Sequence, residues 1–159
     1  MKEYKVGEKE IFKMLTSKQV SKISDYGQIR NYDVGDIIFE HKAEAKSIYF
    51  LLSGEVALRL PSRKDQSPKS FSLEIDRIKE HGVFGPGKLF GVKRYITRAR
   101  ATKRSRVLNI DADDFMTIMK ENNSEFVVMA YLAKIYFQRY IHTMKELQQH
   151  MEQIGKPEK

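Results

Sequence analysis

Between Phe84 and Ala101 the chain carries the residues best suited to hold an anion. A glycine-spaced loop, Phe84-Gly85-Pro86-Gly87-Lys88-Leu89-Phe90-Gly91, is followed shortly by Tyr95-Ile96-Thr97-Arg98-Ala99-Arg100-Ala101. Backbone N–H groups at the start of a helix bind anions whatever the side chains, and Gly85, Gly87 and the Lys88 ammonium would supply positive potential here. Pro86 has no N–H to contribute, although proline suits the first position of a helix. Strand alternation puts Tyr95, Thr97, Ala99 and Ala101 on one face and Arg94, Ile96, Arg98 and Arg100 on the other, with the small residues on the packed side. Arg94 then points away from the loop unless a bulge shifts the register.

Other chemistry is poorly supplied. Gly85-Pro86-Gly87-Lys88 lacks the spacing of a P-loop, and neither Gly-x-Ser-x-Gly nor His-Glu-x-x-His occurs. There is no cysteine, so disulfides, thiolate catalysis and zinc ribbons are excluded, and His41, His81, His142 and His150 are too dispersed to suggest a metal site. Asp111-Ala112-Asp113-Asp114 reads as the cap of a helix starting near Phe115, because carboxylates are favoured by free N–H groups and the helix dipole. Neither a catalytic constellation nor a metal centre is expected, and the chain reads as a non-enzyme.

The net charge of +8 is unevenly placed, since Lys93, Arg94, Arg98, Arg100, Lys103, Arg104 and Arg106 lie together with no acid among them and sum to +7. Such a field attracts RNA, DNA, phosphate or an acidic protein face. Without an aromatic stacking array or a groove-reading helix it carries little nucleic-acid specificity, and a solvated strand face is the preferred reading.

These residues need a scaffold, and 159 residues suffice for one domain with its own core. No apolar run approaches the ~18 residues of a membrane span, and Met1-Lys2-Glu3-Tyr4-Lys5 does not resemble a secretory signal, so a cytoplasmic protein is expected. Ile11 to Leu15 is a short apolar turn. Thr16-Ser17-Lys18-Gln19 has the form of a capping box and predicts a helix to about Tyr26, with Val20 and Ile23 buried. Tyr32-Asp33-Val34-Gly35-Asp36-Ile37-Ile38-Phe39 predicts a turn and a β-branched strand. Ser47 to Leu52 predicts another, closed by Ser53-Gly54 before Glu55 to Leu60. Pro61 to Ser70 reads as a mobile polar loop, Phe71, Leu73 and Ile75 alternate as a half-buried strand, and Val107 to Ile110 is the last strand. Short strands at turn-punctuated intervals suggest a sandwich or roll. Phe39, Phe50, Leu52, Val56, Phe84, Leu89 and Leu108 are its expected core.

Tyr-x-x-Gly-Asp-x-Ile-Phe, Ile-Tyr-Phe-Leu-Leu-Ser-Gly-Glu-Val and the Phe84–Ala101 segment together resemble the cyclic-nucleotide-binding domain family, over roughly Ile11 to Phe115. The resemblance implies a mainly β fold with flanking helices, a jelly roll of the cyclic-nucleotide-binding type followed by a long C-terminal helix. It also implies that Phe84 to Leu89 and Arg94 to Thr97 form the phosphate-binding cassette. Laid without a gap against the family's Phe-Gly-Glu … Arg-(Thr/Ser)-Ala-Thr-Val-Arg-Ala pattern, Phe84, Gly85, Leu89, Arg100 and Ala101 match. Pro86 stands where the family keeps its ribose-binding Glu, and Tyr95 where it keeps its phosphate-binding Arg. A charge-assisted hydrogen bond contributes ~1.5–3 kcal/mol, so loss of the arginine alone should weaken cyclic-nucleotide binding ~10- to 100-fold.

Ala130, Ala133, Phe137, Tyr140, Met144, Leu147, Met151 and Ile154 follow alternating spacings of three and four, a heptad seam that predicts a homodimeric coiled coil. Off the seam, Phe126, Val127, Met129, Leu132, Tyr136 and Ile141 supply a second apolar flank to pack on the roll. The expected organisation is a roll with N-terminal helices over 1–122, a dimerisation helix over 123–154 and a disordered tail over 155–159. The chain ends soon after this helix, so a repressor or activator carrying a helix-turn-helix there is not expected. The first functional expectation is a regulatory module with no cofactor and a drifted pocket, acting through a protein partner. The second is a receptor for cyclic AMP, cyclic GMP or another phosphorylated ligand, using loop amides, Lys88 and a repositioned arginine. A nucleic-acid binder on the basic surface ranks third.

Overall fold

The computed structural model describes residues 10–61 and 72–155. Most of the loop expected at Pro61 to Ser70, the strand start at Phe71 and the tail beyond Gly155 lie outside the described residues. After a short helix α1 (Glu10–Lys13), helix α2 (Ser17–Tyr26) starts at the expected capping box, where the Gln19 N–H donates to Thr16 Oγ1 and the Thr16 N–H donates to Gln19 Oε1. Its buried side is Ile23 with Gln19 rather than Ile23 with Val20, which is only half-buried. Gln19 is tolerated inside because its amide donates to the Ile118 carbonyl at 3.1 Å and to Ser124 Oγ at 3.3 Å.

The strands are β1 (Gln28–Tyr32), β2 (Ile37–Phe39), β3 (Ser47–Ser53), β4 (Val56–Leu60), β5 (Leu73–Ile78), β6 (Val83–Phe84), β7 (Arg98–Ala101) and β8 (Ser105–Asp111). Among the described residues they form two four-stranded antiparallel sheets, ordered β1-β8-β3-β6 and β2-β7-β4-β5. The strand expected from Tyr95 begins only at Arg98, because Tyr95 is tied outside the ladder by backbone bonds with Lys42 and Ala43.

Side-chain alternation divides the core. Tyr49 and Leu51 of β3 face the interior of the roll with Phe39, Val56, Phe84 and Ala99, whereas Ile48 and Phe50 face a helical layer. The continuous apolar run of β3 thus reflects a strand buried on both faces. The helical layer is completed by α3 (Ala112–Lys120) and α4 (Glu125–Ile154), with Phe115 and Met119 from α3 and Val128, Tyr131, Leu132 and Ile135 from α4. Asp111 caps α3, its Oδ1 accepting from the Asp113 and Asp114 N–H groups at 2.8 and 3.2 Å. The expected core residues Phe39, Phe50, Val56, Phe84 and Leu108 are buried, while Leu52 and Leu89 pack against the core part-exposed.

Of the apolar flank expected on α4, only Leu132 belongs to the buried stripe; Phe126 is 81% exposed, and Val127, Tyr136 and Ile141 are also open. The helix carries apolar residues on several stripes, and sequence periodicity does not say which one the roll takes.

Candidate ligand site

The cassette opens where β6 ends. Gly85 has a φ of 71°, and a side chain there would meet Tyr49 Cδ2 at 2.8 Å, so the turn requires glycine. Pro86 precedes a four-residue 3-10 helix, Gly87–Phe90, closed by Gly91 at φ 81°. Its first turn is tied back by the Leu89 N–H donating to the Pro86 carbonyl and the Val92 N–H to the Gly87 carbonyl. A single turn has little of the dipole that a long helix offers an anion.

Tyr95 decides the character of the site. Its ring is 7% exposed and stacks on Phe39 with centroids 3.9 Å apart. Its hydroxyl donates to the Ser47 carbonyl at 2.8 Å and accepts from the Ser47 N–H at 3.2 Å. Tyr49 stacks on Phe84 at 5.2 Å, and Phe39 lies 5.3 Å from Tyr49, so the floor of the roll is an aromatic cluster. Burial and the neighbouring Tyr95 push the Tyr49 phenol up, so it stays neutral. The position expected to hold an arginine is filled by a ring locked into the core.

None of the expected cations faces this floor. Lys88 is turned outward to Asp113, 2.7 Å away, and that carboxylate holds the lysine above its ordinary value. Arg94 is exposed and donates to the Lys42 carbonyl at 3.0 Å; it precedes β7, so strand alternation does not set its direction. Leu89 packs toward the helical core. Phe84 and Pro86 are buried in the fold, while Gly85, Gly87, Tyr95, Ile96 and Thr97 line a cavity of about 350 Å³.

The other cavity residues were not legible as site residues. Phe39, Leu58, Leu60 and Ile75 come from inward-facing strand positions, and Tyr136, Arg139, Tyr140 and Thr143 come from α4. Arg139 is 8% exposed; its Nε lies 2.6 Å from Asp76 Oδ2 on β5 and its Nη2 donates to the Val83 carbonyl on β6 at 2.7 Å. One arginine thereby ties α4 to the outer strand of each sheet beside the cavity. A polar partner 63 residues away leaves no local trace in sequence.

The basic run is divided between the sheets. Arg98 and Arg100 lie on β7, Lys103 and Arg104 in the following turn, and Arg106 on β8. Arg98 pairs with Glu40 at 2.6 Å, Lys103 with Glu55 at 3.7 Å and Arg104 with Asp33 at 3.8 Å, while Arg100 Nε donates to the Gly35 carbonyl. Three of the seven cations thus face an acid from another segment.

Glu55, which sequence inspection passed over, gathers several of these contacts. It is 3% exposed, and its carboxylate takes Arg77 and Thr102 at 2.9 Å each and also Lys79. The Lys79 hydrogen bond, with Thr102 and nearby Lys103, holds its pKa down at about 2 against the opposing effect of burial. This is a structural anchor beneath the β3–β4 turn.

Among the described residues no helix is long and apolar enough to cross a membrane, and no group of His, Cys, Asp and Glu is arranged to hold a metal. Among curated proteins, none matches the chain. Among solved structures it is similar to the catabolite activator protein of Thermus thermophilus, at 20% identity and a TM-score of 0.67 over 89% of this chain and 62% of that one. It is similar as well to a putative cyclic nucleotide-binding protein from Geobacter metallireducens, at 24% identity and a TM-score of 0.63 over 82% and 91% of the two chains. A regulatory subunit of a cAMP-independent protein kinase A from Trypanosoma cruzi, bound to guanosine, shares 12% identity with a TM-score of 0.69 over 89% of this chain and 47% of that one. These likenesses are of fold, and the chain spans 62% of the Thermus protein. The family model of the cyclic nucleotide-binding domain matches residues 29–122, from β1 through α3 and more than half of the sequence, and the chain belongs to that family.

Proposed function

We propose that this protein is a non-enzymatic regulatory module of the cyclic nucleotide-binding fold whose pocket no longer takes a cyclic nucleotide. It acts as a cytoplasmic homodimer through contacts with another protein. The observation that carries this reading is Tyr95: the arginine position holds a buried ring bonded to Ser47, and the one charged residue among the described cavity lining, Arg139, is paired with Asp76. Lys88 is committed to Asp113, Arg94 faces away, and Pro86 offers neither a carboxylate nor an N–H. A cyclic phosphate entering the cavity would lose hydration and meet one guanidinium whose charge Asp76 already offsets.

The dimer is supported by α4. Phe137, Tyr140, Met144, Leu147, Met151 and Ile154 are between 41% and 84% exposed, a continuous apolar stripe on the helix side that the roll leaves uncovered. Ala130 and Ala133 are exposed on the same stripe. Seam residues pairing across a two-stranded coil would remove these side chains from water at ~25 cal/mol per Å² of apolar surface.

A thermal-shift screen with cyclic AMP, cyclic GMP and a cyclic dinucleotide tests the reading. No stabilisation is expected from any of them, and a saturable rise in melting temperature with one would give the receptor reading first place. That second reading draws support from the cavity itself, which lies between cassette and helix where a ligand could report to α4.

A further inference from the structure

The cavity that remains beside the cassette has a chemistry of its own. Leu58 and Ile75 form its sheet wall, Tyr95 stacked on Phe39 its floor, and Tyr136 and Tyr140 of α4 its opposite side. Its mouth is apolar too, since the lining residue Ile96 is 64% exposed.

Charge is scarce along these walls. Among the described lining residues Arg139 is the only charged one, and it is already spoken for. Asp76 sits 2.6 Å from its Nε and the Val83 carbonyl accepts from its Nη2, while Nη1 is buried with no hydrogen-bond partner among the described residues, which leaves one donor nitrogen for a single acceptor atom. Asp76 already offsets the guanidinium charge, so an anion would meet a neutral pair and a single donor nitrogen, little to replace its water. A sugar ring would fare little better, because its hydroxyls need several partners and the walls are mostly hydrocarbon and aromatic faces.

Size narrows the class further. An apolar cavity of about 150 Å³ is enough for a benzene ring. The 350 Å³ found here suits a molecule of two rings or a comparable aliphatic body.

We propose that the cavity between the roll and α4 is a binding site for a neutral, predominantly apolar small molecule of about two rings, held by hydrophobic contact and ring stacking. The proposal rests on the reading that cyclic-nucleotide chemistry has been lost from this pocket, and it gives that pocket a different ligand class. Tyr136 and Tyr140 place such a ligand against α4, and Tyr140 is also a seam residue, so occupancy would be felt at the dimer contact.

A methyl-detected NMR titration of the full chain tests it with indole, 1-naphthol and the matched pair indole-3-acetamide and indole-3-acetate. Guanosine and cyclic AMP complete the set. At least one neutral ring probe should give saturable shifts at the Leu58, Leu60, Ile75 and Ile96 methyls with one site per chain. The neutral amide should bind at least ~10-fold more tightly than the carboxylate of the same shape. Ile75→Phe, which narrows the wall, should weaken that binding at least ~10-fold; Ile96→Trp, at an exposed position that leaves folding untouched, should do the same by obstructing the mouth. Absence of saturable shifts with every neutral probe overturns the proposal, as does tighter binding of indole-3-acetate or guanosine than of the amide. Saturable binding of cyclic AMP would overturn both this proposal and the reading beneath it. Silence from all probes, cyclic AMP included, would overturn this proposal alone.

Discussion

Tyr95 stands where the resemblance to the cyclic-nucleotide-binding family implies an arginine, and its side chain is part of the core. Its hydroxyl satisfies both the N–H and the carbonyl of Ser47, and its ring covers Phe39. Tyr95→Phe should therefore cost ~1–3 kcal/mol, because two partly buried backbone groups lose their partner, and Tyr95→Ala ~3–5 kcal/mol, because a large side chain leaves a packed site. Urea unfolding measures both; a cost near zero for the alanine variant would mean the ring is not part of the core. Glu55 permits a second test at this scale. Its carboxyl is held at about 2, below the ordinary 4.5, so the stability it contributes is complete above about pH 4.5 and is lost as pH falls toward 2. Glu55→Gln should lower stability by ~1–3 kcal/mol at neutral pH and flatten the decline between pH 4.5 and 2. Equal acid slopes for the two proteins would remove Glu55 from the acid response. Tyr95 could be picked out from sequence because it departs from a family pattern that its neighbours match. Glu55 could not, because Arg77, Lys79 and Thr102 reach it across 22 to 47 residues.

At the scale of elements, local signals carried well. The capping box of α2, the Asp111 cap of α3 and the positive-φ glycines at 35, 54 and 85 depend on neighbours within a few residues, and each is present where the residue types require it. Choices among surfaces did not carry. Helix α4 is apolar on more than one stripe, and the one it buries, Val128, Tyr131, Leu132 and Ile135 with Arg139, is selected by the roll and by Asp76 and Val83 rather than by periodicity. The heptad stripe lies outside that contact, which is why it is free to meet a second copy. Met144→Glu combined with Leu147→Glu should convert a dimer into a folded monomer, since charges facing one another across a coiled-coil seam are excluded from it. Light scattering gives the mass and circular dichroism the fold. A monomeric wild type at high concentration, or a double variant that remains dimeric, would remove the seam from the interface.

For the whole molecule, a roll of the cyclic nucleotide-binding family carries a glycine turn and 3-10 helix after β6, a mostly apolar cavity beside it and a long C-terminal helix along it. Membership in the family was legible because glycine turns and strand motifs are set by backbone geometry. The ligand was not, because pocket chemistry depends on which distant side chains neutralise one another: Lys88 with Asp113, Arg98 with Glu40, Arg139 with Asp76. Calorimetric titration of cyclic AMP into the intact protein tests the central claim most directly. No saturable heat is expected with ligand in the millimolar range. Binding at micromolar concentration with one site per chain would contradict the proposed loss of cyclic-nucleotide binding, because that affinity corresponds to ~8 kcal/mol and the described lining offers a phosphate only Arg139, already paired with Asp76.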